Sequence, residues 1–181
     1  MSRTYYRDLV SEPLAISNTS VTLTAATDTI IFPANQIAIQ NGDVRPGKVW
    51  KLTATGLVTA AGGSWLITPR WGQLLTSPSL GQGGATINAP TVTNVVFILE
   101  IWAICRTLGL GGGANSSIVA MGRFTASAAA ASTAAWVSPV GGGAAVTFDI
   151  ATANICGLQV SINASVTAAL GNQLITLEAL N

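Results

Sequence analysis

Glu100 and Glu178 lie inside strongly patterned apolar segments of this 181-residue chain, a setting in which paired carboxylates can do the acid–base work of glycoside hydrolysis. On neighbouring strands they could flank a cleft with aromatic walls, one protonating the leaving group while the other acts across the scissile bond. The plainer reading is that Glu100, alone in its strand, pairs with a cation such as Arg123 or Arg106, or faces a subunit contact. The other carboxylates (Asp8, Glu12, Asp28, Asp43 and Asp149) are scattered singly, so the sequence offers no clustered metal ligands. Histidine is absent, which removes Ser-His-Asp and Cys-His catalysis, HExxH metal sites and imidazole proton transfer together. The expectation is a protein that is not an enzyme and uses no metal or cofactor.

Three further features invite chemistry and each has a structural counter-reading. Gly109 to Ala114 fits the GxGxxA dinucleotide fingerprint and follows a strand, but residues 117–124 alternate like another strand rather than opening a helix. No Asp or Glu occurs between Glu100 and Asp149 to bind a ribose, so the segment reads as a hairpin loop. Cys105 and Cys156 both sit in apolar segments and read as small buried thiols, with a disulfide between facing strands as the other possibility. Arg45, Lys48, Lys51 and Arg70 could face an acidic partner or simply a solvated strand face. Of the five tryptophans, core packing accounts for most, and Trp136, in the Ala-rich loop, is the one expected at a contact.

The elements that must position these residues are strands. Residues 48–58 alternate Trp50, Leu52 and Ala54 against Lys51, Thr53 and Thr55. Residues 65–71 follow an Ala-Gly-Gly turn, and Pro69 within them predicts an edge or a bend because proline cannot donate to a ladder. Residues 92–106 are the strongest segment: Phe97, Leu99, Ile101, Ala103 and Cys105 alternate with Ile98, Glu100, Trp102 and Ile104, so both faces are expected to be covered. Strands are also predicted at 116–126, 145–150, 155–164 and 173–180, with shorter ones at 29–32 and 85–88. Residues 126–135, rich in Ala, read as a long loop that has room for a short helix. With no recurrent helix to act as a crossover, the pattern calls for an all-β, two-sheet jelly-roll sandwich of about eight antiparallel strands.

Composition bounds the partners. Only 8% of residues are charged and the net charge is +1, so there is no basic stripe to neutralise phosphates and nucleic acid is not expected as a partner. The longest apolar run, residues 95–105, is too short for the roughly 20 residues of a membrane-spanning helix. The N-terminal residues carry Arg, Asp and Glu where a secretory signal would be apolar, so synthesis in a reducing cytoplasm without export is expected. About fifty Ser, Thr, Asn and Gln residues provide hydration. Even so, fifteen charges over a folded surface on the order of 8,000 Å² leave apolar patches, and burial against copies of the chain is the simpler account.

Four segments carry a resemblance: residues 6–12 (YRDLVSE), 26–35 (ATDTIIFPAN), 48–56 (KVWKLTATG) and 177–181 (LEALN). Together the chain resembles a family of small structural proteins of tailed bacteriophages, capsid decoration proteins with a tumour-necrosis-factor-like jelly roll that assemble as trimers on the head. The resemblance implies residues 1–28 as an N-terminal arm and 29–181 as the jelly-roll domain. It further implies a homotrimer bound to the phage major capsid protein on the outer surface of the virion, made in the host bacterial cytoplasm, with no membrane partner. Tyr5, Tyr6, Arg7, Asp8 and Leu9 would reach the capsid, and Trp136 would lie at a contact. The other functional reading is a tail-fibre or spike module that recognises host surface glycan through Trp136 and the Gly- and Ala-rich loops.

Overall fold

A computed structural model describes residues 12–32, 39, 43–72, 74–80, 87–109, 116–127, 136–140, 146–148 and 156–180. All eleven elements among them are strands: β1 (Glu12–Leu23), β2 (Asp28–Ile30), β3 (Val49–Ala61), β4 (Ser64–Trp71), β5 (Ile87–Asn88), β6 (Thr91–Thr107), β7 (Ser116–Ala126), β8 (Trp136–Val140), β9 (Val146–Phe148), β10 (Leu158–Ala164) and β11 (Ala168–Ala179). They form two antiparallel sheets. The larger runs β1-β11-β3-β6-β7-β8, with β9 also on β7, and the smaller runs β2-β10-β4-β5. An all-β sandwich is therefore the fold.

Alternation explains the layering. In β3, Trp50, Leu52, Ala54 and Val58 are buried while the residues between them are partly exposed, and in β6 Phe97, Leu99, Ile101, Ala103 and Cys105 are fully buried. These meet Trp65, Ile67 and Trp71 of β4 and Leu158, Val160 and Ile162 of β10 in one core. Phe97 and Phe124 stack at 5.4 Å, Trp65 meets Phe124 edge-on at 6.0 Å, and Trp50 lies 5.4 Å from Trp71. Each such ring or aliphatic side chain contributes about 1.5–3 kcal/mol by leaving water.

Local chemistry sets the joints. Gly62 and Gly63 take φ of 86° and 91° in the β3–β4 turn, a region that side chains with a Cβ rarely adopt. Asn94, at φ 50°, marks the bulge where β3 and β6 shift register, and its amide donates to Thr59 Oγ1 at 3.1 Å. Pro69 pairs with Val160 of β10, while its carbonyl accepts from Leu80 N at 2.8 Å. Amide and carbonyl of one antiparallel residue point the same way, so the Pro69 nitrogen also faces away from β10 and no ladder bond is lost; β4 is nevertheless not the expected edge, since it runs between β10 and β5.

Several expectations change. Glu12–Leu23, assigned to the arm, form β1 and pair with β11 from Glu12↔Ala179 to Leu23↔Ala168. Trp136 opens β8, where it pairs with Ala126, rather than sitting in a loop. Tyr5, Tyr6, Arg7, Asp8 and Leu9 lie outside the described residues.

Candidate functional site

The two sheets treat their outward faces in opposite ways. An exposed sheet face normally alternates polar residues outward. On the smaller sheet the buried outward residues are polar, and the chain itself covers them: Thr68, Gln159 and Ser161. Gln159 clamps Phe32, two residues past β2, by accepting from Phe32 N at 3.2 Å and donating to Phe32 O at 2.9 Å. Arg70 reaches outward from β4 and donates to Ser161 Oγ at 2.8 Å, Ser77 O at 3.0 Å and Asp28 Oδ2 at 2.6 Å. That fork ties β2 and the turn at 74–80 to the sheet, where residues 78–80 run beside β4 and Leu80 is buried in the core.

The larger sheet has the reverse arrangement: apolar side chains point outward and stay in water. Met121 is 58% exposed, Leu174 54% and Val96 53%, with Ile98 and Ile104 also exposed. The pairing places them together, because Ile98 lies opposite Thr55 and Thr125, Trp102 opposite Lys51 and Met121, and Ile104 opposite Val49 and Val119. Within a single copy of the chain, then, only the inner face of residues 92–106 is covered. β6 runs through the middle of the sheet, and the sandwich can cover only one side of it.

At the centre of this face stands one carboxylate between two cations. Glu100 Oε2 accepts from Arg123 Nε at 2.8 Å and lies 2.7 Å from its NH2, while Lys51 Nζ lies 3.1 Å from Oε1. Arg123 sits directly opposite on β7 and Lys51 diagonally on β3, so the charges form a row across three strands. The Glu100 side chain is 13% exposed. The hydrogen-bonded Lys51 ammonium lowers its pKa, burial opposes this, and Arg123 adds to the lowering. Lys51 Nζ also lies 5.5 Å from the Trp102 ring centroid, a cation–π contact.

This arrangement suits packing better than proton transfer. Glu178 lies on β11, with β3 between it and β6, so the two carboxylates expected on neighbouring strands are two strands apart. A general acid needs a raised pKa, and the cations push Glu100 the other way. Residues 107–109 and 116–117 join β6 to its antiparallel neighbour β7, Gly109 N donating to Ser116 Oγ at 3.1 Å. The GxGxxA-like segment therefore starts from a strand-to-strand connection, not the strand-to-helix turn a pyrophosphate needs.

The four clustered cations separate. Lys48 is buried, Arg70 serves the smaller sheet, Lys51 belongs to the central row and Arg45 is exposed. Cys105 and Cys156 are buried free thiols rather than a disulfide. Burial pushes the Cys156 thiol up to about 11 and raises that of Cys105. Among the described residues no group of three or more His, Cys, Asp or Glu could hold a metal, and no helix is long and apolar enough to cross a membrane. Trp50, Trp65 and Trp71 are core residues, and Trp102 faces outward, partly exposed.

Val96, Ile98, Met121 and Leu174 escaped the sequence reading as functional residues. The signal was present in the apolar residues on both faces of 92–106 and in Met121, which falls out of phase with its buried neighbours Ala120 and Phe124. No family model, curated protein or solved structure matches the chain.

Proposed function

We propose that this chain is a non-enzymatic virion structural protein, a trimeric decoration protein that binds and stabilises a bacteriophage capsid from its outer surface. The observation that carries this reading is the open apolar face of the larger sheet on a chain with few charges. Contiguous exposed apolar area of this kind marks a surface that works against another macromolecule. A depleted charge coat is what interface cores select. The jelly-roll connectivity and the capsid-reaching role of Tyr5, Tyr6, Arg7, Asp8 and Leu9 belong to the same proposal. In it, these residues extend beyond β1, the strand that ends the larger sheet.

The mechanism is thermodynamic. A protein that binds the assembled shell and not its separate subunits stabilises the shell by mass action. A trimer that bridges adjacent capsomers adds effective concentration to each successive contact. The test mixes purified full-length protein with undecorated empty heads and sediments them. Saturable co-sedimentation and heads that resist heat or dilution are the expected results. Absence of binding, or label on the tail tip of intact particles, would transfer the protein to host recognition.

A further inference from the structure

We propose that the outer face of the larger sheet is covered by a second copy of this chain, with the Lys51–Glu100–Arg123 row as its central register mark, an assignment that rests on the decoration reading above. Three observations converge on that occupant.

The first is size. From β1 to β7 the sheet holds five strands, which at about 4.8 Å spacing make a face about 24 Å wide. The ten-residue reach from Val96 to Arg106 at about 3.4 Å per residue makes it about 34 Å long. The product is about 800 Å², and an offset of one strand leaves about 650 Å² in contact, within the range that one partner contributes to a stable protein–protein interface.

The second is charge. Along the strand order β3, β6, β7 the row reads positive, negative, positive. A second such face displaced by one strand spacing sets the partner subunit's Arg123 over Glu100, so opposite charges meet across the contact. The row is thus complementary to a copy of itself. Because Glu100 already has both cations within 3.1 Å, it enters the contact paired, which limits the desolvation cost that an isolated carboxylate would carry.

The third is asymmetry within the chain. The smaller sheet satisfies its buried outward residues within the chain: they are polar, Gln159 bonding the Phe32 backbone and Ser161 accepting from Arg70. The larger sheet exposes Val96, Ile98, Met121 and Leu174 instead. Those residues ring the charged row and give the apolar core that a copy would bury, about 1.5–3 kcal/mol of transfer free energy per fully covered side chain.

The experiment measures the mass of the full-length protein by light scattering across a dilution series, with head binding measured in parallel. The variants are Met121→Glu and Ile98→Glu on the face, and Thr76→Glu, an exposed turn residue, as control. Urea midpoints of dilute samples verify that each variant folds. The expected result is that both face variants weaken self-association about 100-fold or more, by burying like charge beside Glu100, while Thr76→Glu leaves it unchanged. A face variant that folds and associates as the wild type does would overturn the assignment while leaving the capsid reading intact. Wild-type oligomers that never bind heads would remove the capsid reading and leave the face assignment standing. A monomeric wild type whose head binding is abolished by Met121→Glu would also overturn the assignment, giving the face to the capsid.

Discussion

Gly122 of β7 pairs with Ile101 of β6 at the closest strand approach the structure offers a substitution. A Cβ added there would drive into the Glu100 carbonyl oxygen and stand 2.9 Å from Ile101 Cα and 3.0 Å from the Glu100 carbonyl carbon. All three atoms are backbone, so no rotamer change relieves them and the two strands must separate. Overpacking of this kind costs about 1–3 kcal/mol, and a backbone clash falls at the upper end. A loss of about 3 kcal/mol is a large share of the roughly 5–15 kcal/mol that holds a domain together. At a urea slope of about 2 kcal/mol per molar, Gly122→Ala lowers the midpoint by about 1.5 M with the slope unchanged. Gly171→Ala is the matched control, because its Cβ would meet only Ser20 Oγ at 4.0 Å. That variant should stay within about 0.5 kcal/mol of wild type or gain slightly by restricting the unfolded chain. Both are measured at one fixed protein concentration, since self-association adds to apparent stability. A Gly122→Ala midpoint indistinguishable from the control would refute the close approach of β6 and β7.

Other outcomes follow from the polar contacts and the thiols. Glu100→Gln should cost about 1 kcal/mol at neutral pH, little because Arg123 is 63% exposed and water relieves it. The folded Glu100 pKa lies below the unfolded value of about 4.3, so the stabilising increment is present above that pH and fades as pH falls through the folded pKa. A difference between wild type and variant that does not shrink on acidification would contradict this. Arg70→Ala removes the ties to Ser161, Ser77 and Asp28 and should destabilise by about 2–4 kcal/mol, with faster proteolysis in the 74–80 turn; uniform resistance to protease would count against the clamp. Cys105 and Cys156 should resist alkylation in the folded protein and both react in urea, because the buried thiols stay protonated. Their raised pKa values make stability fall as pH climbs from the ordinary thiol range of about 8.5 toward about 11, and thiols that react rapidly under native conditions would sink that account.

Sequence periodicity revealed most of the sandwich and little of what lies on it. β3, β4, β6 and β7 were legible because each is a run of eight or more residues rich in β-branched, aromatic and aliphatic side chains. β1 was not, since Ser17-Asn-Thr-Ser20 interrupts its apolar period and its pairing with β11 spans nearly the whole chain. β8 was hidden by Pro139 inside a five-residue strand. The Glu100–Arg123 pair could be anticipated as one of two cation choices, whereas Lys51 required the strand order β3-β6-β7, which no local pattern encodes. An apolar residue at an outward position also looks the same in sequence whether its cover comes from the same chain or from a neighbour. Only the pairing shows that Ile98, Met121 and Leu174 share an open face.

The central claim is that this open face does not remain wet in the working protein. Its most direct test is the mass of the purified full-length chain in solution, by light scattering over a wide concentration range. The account expects an assembly of two or more 18.4 kDa copies that dissociates only on strong dilution. A single 18.4 kDa species, soluble and unassociated up to millimolar concentration, would contradict it.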